Sequence, residues 1–224
     1  MKSVFTDSSI VIVANDLNLS IFKPLWLVKN KILLEEEIQG DMVFSPVTVQ
    51  IPTDRFIFSV LPNRVQMSIP RHINNAYPDI KRVLEGVINT LPHTPYTAVG
   101  LNFHYMIDCE NQTKFYTWDK KLFASELAKK VVPADNGNAR FGSYFSFDVL
   151  EARLKINITP TKANENIKEL CESWQKDQEL IKVDFNLHHS VQDDSATVNT
   201  VINTLEKWNE ILSLTQEITK MISD

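Results

Sequence analysis

Few side chains in this chain are suited to chemistry. His104 lies in the stretch Gly100-Leu101-Asn102-Phe103-His104-Tyr105-Met106-Ile107-Asp108, two residues after Asn102 and four before Asp108. In an extended segment these three share a face, and an imidazole near an amide and a carboxylate can transfer protons near neutral pH. Asn102, His104 and Asp108 are therefore the candidate polar site, with a hydrogen-bonded structural histidine as the plainer reading. His188-His189 looks like a ligand pair, but neighbours on a strand face opposite sides, so one is expected outside and one inside, sharing no metal. Glu35-Glu36-Glu37 reads as a solvated turn.

Other chemistries lack their signatures. Cys109 and Cys171 have no spaced partner and no adjacent His, which argues against a zinc site, a disulfide framework or an activated thiol; spacing alone leaves one bridge between them open. The five glycines fall in no phosphate-cradling pattern, and there is no G-x-S-x-G elbow. No catalytic, cofactor-binding or metal-binding residue is assigned and no cofactor is implied. An enzyme with a site near His104 is the lesser expectation.

A formal net charge of -5 and a pI near 5.6 give no strong nucleic-acid signal. The apolar run Ile10 to Ala14 is too short for a signal-peptide core or a membrane span, so no membrane partner is expected and the cytoplasm is the expected location. The aromatic run Phe141 to Phe147 could stack on bases. Its alternation instead places Phe141, Phe145 and Phe147 on one face, as a core would.

The elements that must position these residues follow from periodicity. Ile10 to Ala14 predicts a strand buried on both faces, and Ile21, Phe22, Leu25, Trp26 and Val28 a short helix over about 20–31. Met42 to Ile51 reads as an extended segment pushed to an edge by Pro46 and Pro52, and residues 55–69 as a hairpin turning at Pro62-Asn63. Ile80, Val83, Leu84, Val87, Ile88 and Leu91 give an amphipathic helix over 78–91. A half-buried strand over 99–107 precedes a helix over about 114–131 and a polar break at 134–138. Strands near 140–148 and 149–158, a polar connection over 159–178 with a short helix, and a strand over 181–187 follow.

Asp193-Asp194-Ser195 caps a closing helix of about 27 residues, roughly 40 Å long, with Val198, Val201, Leu205, Trp208 and Leu212 at 3-4-3-4 spacing and Ile202, Ile211, Ile218, Met221 and Ile222 beside them. That length exceeds one small sheet, so Leu205, Trp208, Leu212, Ile218 and Ile222 form a candidate partner-binding face; the alternative is that the helix spans its own sheet. The fold class expected is α+β: residues 1–224 as one unit of two consecutive βαβββα-like halves, about 9–91 and 97–222, with mainly antiparallel sheet and a long C-terminal helix.

The strand at Gly100 to Ile107, the late strand Leu180 to Leu187 and the closing helix resemble a sporadically distributed, uncharacterised bacterial family with a G-L-R-Y-x-N-R-I-like strand, an L-x-L-D-x-D-like strand and a closing long helix. Asn102 stands where that family has arginine, and Tyr105 where it has its asparagine. The resemblance implies no catalytic residue. The function expected is a non-enzymatic interaction protein, a binding, adaptor or sensor subunit whose partner is another protein or a second copy, acting through sheet edges and the C-terminal helix. The alternative is an accessory component of a bacterial defence or toxin-neutralising system with chaperone-like peptide binding.

Overall fold

Alternating apolar and polar residues build a sheet on which the helices rest. The computed structural model describes residues 1–70, 75–132, 139–163, 174–191 and 197–224. Strand β1 (Lys2–Ala14) leads to a 3-10 turn at Leu19–Ile21, helix α1 (Pro24–Lys29) and a second 3-10 turn at Glu35–Glu37. Strands β2 (Val43–Phe44), β3 (Val49–Pro52), β4 (Ile57–Leu61) and β5 (Arg64–Pro70) precede helix α2 (Tyr77–Thr90). Strand β6 (Tyr96–Asp108), helices α3 (Gln112–Phe123) and α4 (Glu126–Val131), strands β7 (Ser143–Val149), β8 (Ala152–Lys162) and β9 (Glu179–Ser190), and helices α5 (Thr197–Glu206) and α6 (Trp208–Ser223) complete the order.

Among the described residues, the strands form one sheet in the order β2-β3-β4-β5-β1-β6-β9-β8-β7, every pairing antiparallel. Apart from β2, that order reads alike from either side. β1 with β3, β4 and β5 mirrors β6 with β7, β8 and β9, the last strand of each set lying beside its first. The fold is α+β with mainly antiparallel sheet, as the element order predicts.

One sheet face carries the core. Ile10, Ile12, Phe58, Met67, Leu101, Phe103, Val183, Phe185, Leu154 and Ile156 are buried against Ile80, Val83, Leu84, Val87 and Ile88 of α2 and Val201, Leu205 and Ile211 of the closing helices. The other face is more exposed around His104, while at one end Val4, Met106 and Leu180 are buried there with Ala163 and Trp174 in a second, smaller apolar cluster. Val11 and Val13 are half-exposed on this face, so the Ile10–Ala14 run is buried on one face only, contrary to its reading as a doubly covered strand.

Several boundaries also differ from expectation. The 20–31 helix shortens to α1 because Pro24, with fixed φ and no N–H, starts the helix four residues later. The 42–51 segment folds into β2 and β3 around a turn in which Val47 and Thr48 N–H donate to Ser45 Oγ at 3.3 and 3.0 Å. The 114–131 helix breaks at Ala124-Ser125, where Ser125 Oγ accepts the Ala128 N–H at 3.0 Å and caps α4. Leu150 is a turn residue: Leu150 and Glu151 both have positive φ, 51° and 60°, the two-residue connection that matches strand twist. The polar break at 134–138, the 164–173 part of the polar connection and the Asp193-Asp194-Ser195 cap lie outside the described residues. Cys109 is a buried free thiol, pushed up to about 12 by burial and then by the nearby Asp108 and Asp119 charges.

Candidate functional site

The polar residues of the sheet gather on its more exposed face. His104 on β6 lies between Asp184 of β9 and Asp7 of β1: Nδ1 is 2.5 Å from Asp184 Oδ1 and Nε2 is 3.8 Å from Asp7 Oδ1. Burial works against the Asp184 charge, but hydrogen bonds from His104 and from Lys182 Nζ at 2.9 Å outweigh it and hold this carboxyl below its ordinary value. A charged carboxylate only accepts, so His104 Nδ1 donates. Asn102 Nδ2 donates to Ser9 Oγ at 3.1 Å, and Asn186 Nδ2 donates to Asn102 Oδ1 at 2.6 Å. A β-bulge aims Asp7 at this group: the register of β1 on β6 shifts between Phe5 and Asp7, leaving Thr6 unpaired and turning Asp7 onto the His104 face.

Of the three residues expected to form a polar site, Asn102 and His104 lie in this group. Asp108 lies at the far end of β6, where its Oδ1 accepts from the Glu110 N–H at 2.7 Å and Gln178 Nε2 at 2.8 Å, so it does not join His104. Asp7, Asp184, Asn186 and Lys182 come from other strands, and nothing local to residues 100–108 announces them. His188 and His189 face opposite sides as expected. His188 Nε2 is 3.3 Å from Ser190 Oγ, while His189 Nδ1 is 2.9 Å from Thr204 Oγ1 of α5. Burial holds both below their ordinary value, with Lys155 acting on the first and Lys207 on the second.

The closing helix runs over its own sheet. Leu205 and Trp208 are buried in the core, Trp208 at 4.5 Å between ring centroids from Phe103, whereas Leu212, Ile218 and Ile222 pack at the core's margin. A break at Lys207 splits it into α5 and α6, and Lys207 Nζ donates to the Leu150 carbonyl at 2.6 Å. Beyond it the buried line is Ile211, Thr215, Thr219 and Ser223. Thr215 and Thr219 bond their own helix carbonyls, and Thr215 Oγ1 lies 2.9 Å from Tyr105 Oη, so small hydroxyl side chains seat the helix close to the sheet. A concavity of about 640 Å³ between β1, α2 and α6 is lined by Phe5, Tyr77, Trp208, Asn209 and Gln216, on the helix side of the sheet and across from His104.

The β7 edge differs from expectation in burial, not in the face its residues share. Tyr144, Phe145 and Phe147 are 61%, 48% and 41% exposed, so Phe145 and Phe147 are not core residues. They do lie on the helix-side face, opposite Ile156 and Leu154. Among the described residues, however, the main helix packing on the sheet lies over β1, β6 and β9.

Hydrogen-bond parity along β7 follows from its two-residue turn. Val149 and Ala152 close the hairpin as a hydrogen-bonded pair, so Phe147, Phe145 and Ser143 also spend their backbone groups on β8. Tyr144, Ser146 and Asp148 turn theirs outward. β7 has no Pro, no Lys and no bulge, the devices that usually guard an edge, and its one charge, Asp148, pairs with Arg153 at 3.0 Å.

The segment leading into β7 is fixed by buried carboxylates. Phe141 N–H donates to Asp119 Oδ2 at 2.7 Å, Arg140 pairs with the buried Glu179, and Gly142 approaches β8 so closely that a Cβ there would lie 2.6 Å from the Ile158 carbonyl oxygen. Burial, with the nearby Glu179 charge, pushes the Asp119 carboxyl up to about 6, against the Phe141 N–H and Arg140, which favour its ionised form.

Among the described residues no group of three or more His, Cys, Asp or Glu is disposed to hold a metal ion, and no helix is long and apolar enough to cross a membrane. The chain matches no protein-family model and no curated protein.

Proposed function

We propose that this chain is a non-enzymatic interaction protein whose working surface is the β7 edge of its sheet, to which a partner adds an extended strand. The observation that carries this reading is the edge itself: outward backbone groups at Tyr144, Ser146 and Asp148 beside exposed Tyr144, Phe145 and Phe147, with none of the usual guards. Strand addition draws affinity from main-chain hydrogen bonds and specificity from alternate side chains, and β7 offers both. The closing helix contributes by holding the sheet rigid, its central apolar residues being buried beneath it.

Ser146→Pro tests the reading. It removes an outward N–H that β8 does not use, a position where an edge strand tolerates proline. Native mass spectrometry of the purified protein should show species heavier than the 25.7 kDa chain, and these should disappear in the variant while its thermal unfolding midpoint stays within a few degrees of wild type. Persistence of the same assemblies in a folded Ser146→Pro protein would reject the edge as the working surface.

A second reading, catalysis on the more exposed face, rests on one observation: His104 Nδ1 is engaged by Asp184, which leaves Nε2 as the basic nitrogen toward solvent and Asp7. Loss of a screened hydrolytic activity in His104→Gln, with stability unchanged, would favour it.

A further inference from the structure

We infer that the strand added to β7 is the β7 of a second copy of this chain, paired antiparallel about a twofold axis through Ser146, so that two sheets become one. The inference rests on β7 being the working edge and adds the occupant and its register.

The argument is self-complementarity. A twofold antiparallel pairing must set residues with outward backbone groups against one another. Centred on Ser146, it places Ser146 opposite Ser146 and Tyr144 opposite Asp148, so Tyr144, Ser146 and Asp148 of both copies all find partners. Centring on Phe145 leaves Asp148 beyond the partner strand, and centring on Phe147 sets Tyr144 against the Leu150 turn. The Ser146 register also sets Phe145 opposite Phe147 twice. These fall at non-hydrogen-bonded positions, where cross-strand side chains approach most closely and aromatic pairs gain most.

Charge agrees with the same register. Asp148, the strand's one charge, faces Tyr144 of the second copy, and the two Asp148 residues stand four residues apart along the strands, about 14 Å, beyond the screening length at physiological salt. Centring on Asp148 would place the two carboxylates directly opposite. A heterologous strand would have no reason to meet this symmetry.

The test is cysteine cross-linking of the full chain carrying Cys171→Ser, with Cys109 retained because it is buried. Ser146→Cys lies opposite itself on the axis and should form a disulfide-linked species of twice the 25.7 kDa chain mass, whereas Val47→Cys, 66% exposed at the other end of the sheet, should not. Charge variants give a second measurement. Phe145→Lys/Phe147→Lys should abolish the dimer in sedimentation, and Phe145→Glu/Phe147→Lys should restore it, since each Glu then faces the partner's Lys. Equal cross-linking at both positions, or equal loss in the two charge variants, overturns the inference. Heavier species that contain a different protein and vanish in Ser146→Pro would overturn the second copy while leaving the edge as the working surface; heavier species indifferent to Ser146→Pro would remove both.

Discussion

The two ends of the sheet have the same polarity of sequence and opposite protection. At one end β2 is two residues long, and its exposed Met42, Val43, Phe44 and Val47 sit around a turn that Ser45 ties with its own hydroxyl and that Pro46 stiffens. At the other end β7 runs for seven residues. A buried carboxylate clasp holds its start, and a two-residue turn tied by Lys207 holds its end. Exposed apolar residues alone do not distinguish them. What differs is the length of straight, rigidly held backbone with unspent hydrogen-bonding groups, which decides whether an added strand gains enough contacts to offset the entropy of ordering it.

The largest effect is expected at the start of β7. Gly142→Ala places a Cβ against the Ile158 carbonyl oxygen, a backbone atom that cannot move aside alone, and should cost about 2–3 kcal/mol in denaturant unfolding and loosen the edge. An unchanged midpoint would mean that the clasp does not determine the strand's position.

Asp119→Asn should have the next largest effect and the opposite sign. The folded carboxyl is raised from 3.8 to about 6, so its protonated form is favoured by folding. The stability from this group is fully present below about pH 4 and is lost as the pH rises through about 6. At pH 7 the wild type keeps a buried charge that asparagine avoids while still accepting the Phe141 N–H. The variant should therefore gain about 2 kcal/mol at pH 7, and the difference between the two proteins should shrink as the pH falls from 6 to 4. A difference independent of pH would rule out a raised Asp119 pKa.

The smallest effect belongs to the protected edge. Phe44→Lys/Val47→Lys should change stability by less than about 0.5 kcal/mol and leave the native mass distribution unaltered. If association fell with these substitutions, β2 and not β7 would be the working edge.

Local pattern was a reliable guide wherever one face of an element met one kind of surroundings. The α2 helix, the β4–β5 hairpin and the alternation of β6 and β9 follow from residue spacing, because burial on one side imposes a period of 3.6 or 2 whatever lies beyond. The pattern of α6 misled for a physical reason: Thr215, Thr219 and Ser223 are buried because they are small and bond their own carbonyls, so the apolar line does not mark the inward side. Phe145 and Phe147 misled for another. Alternation assigns them correctly to the helix-side face, but it carries no information on whether a helix extends that far.

Residue spacing carries the kinds of elements, their order, the α+β class and, on the regular strands and on α2, the face each residue occupies. Tertiary structure alone decided which strands are neighbours, and so which side chains meet. His104 finds Asp184 across a pairing eighty residues apart in sequence, and Asp7 only because a bulge at Thr6 turns it. The same pairing leaves β7 outermost. Strand order is set by the summed burial of whole faces and by chain connectivity, quantities that no window of residues contains, and from that order came both the polar group on the more exposed face and the unguarded edge.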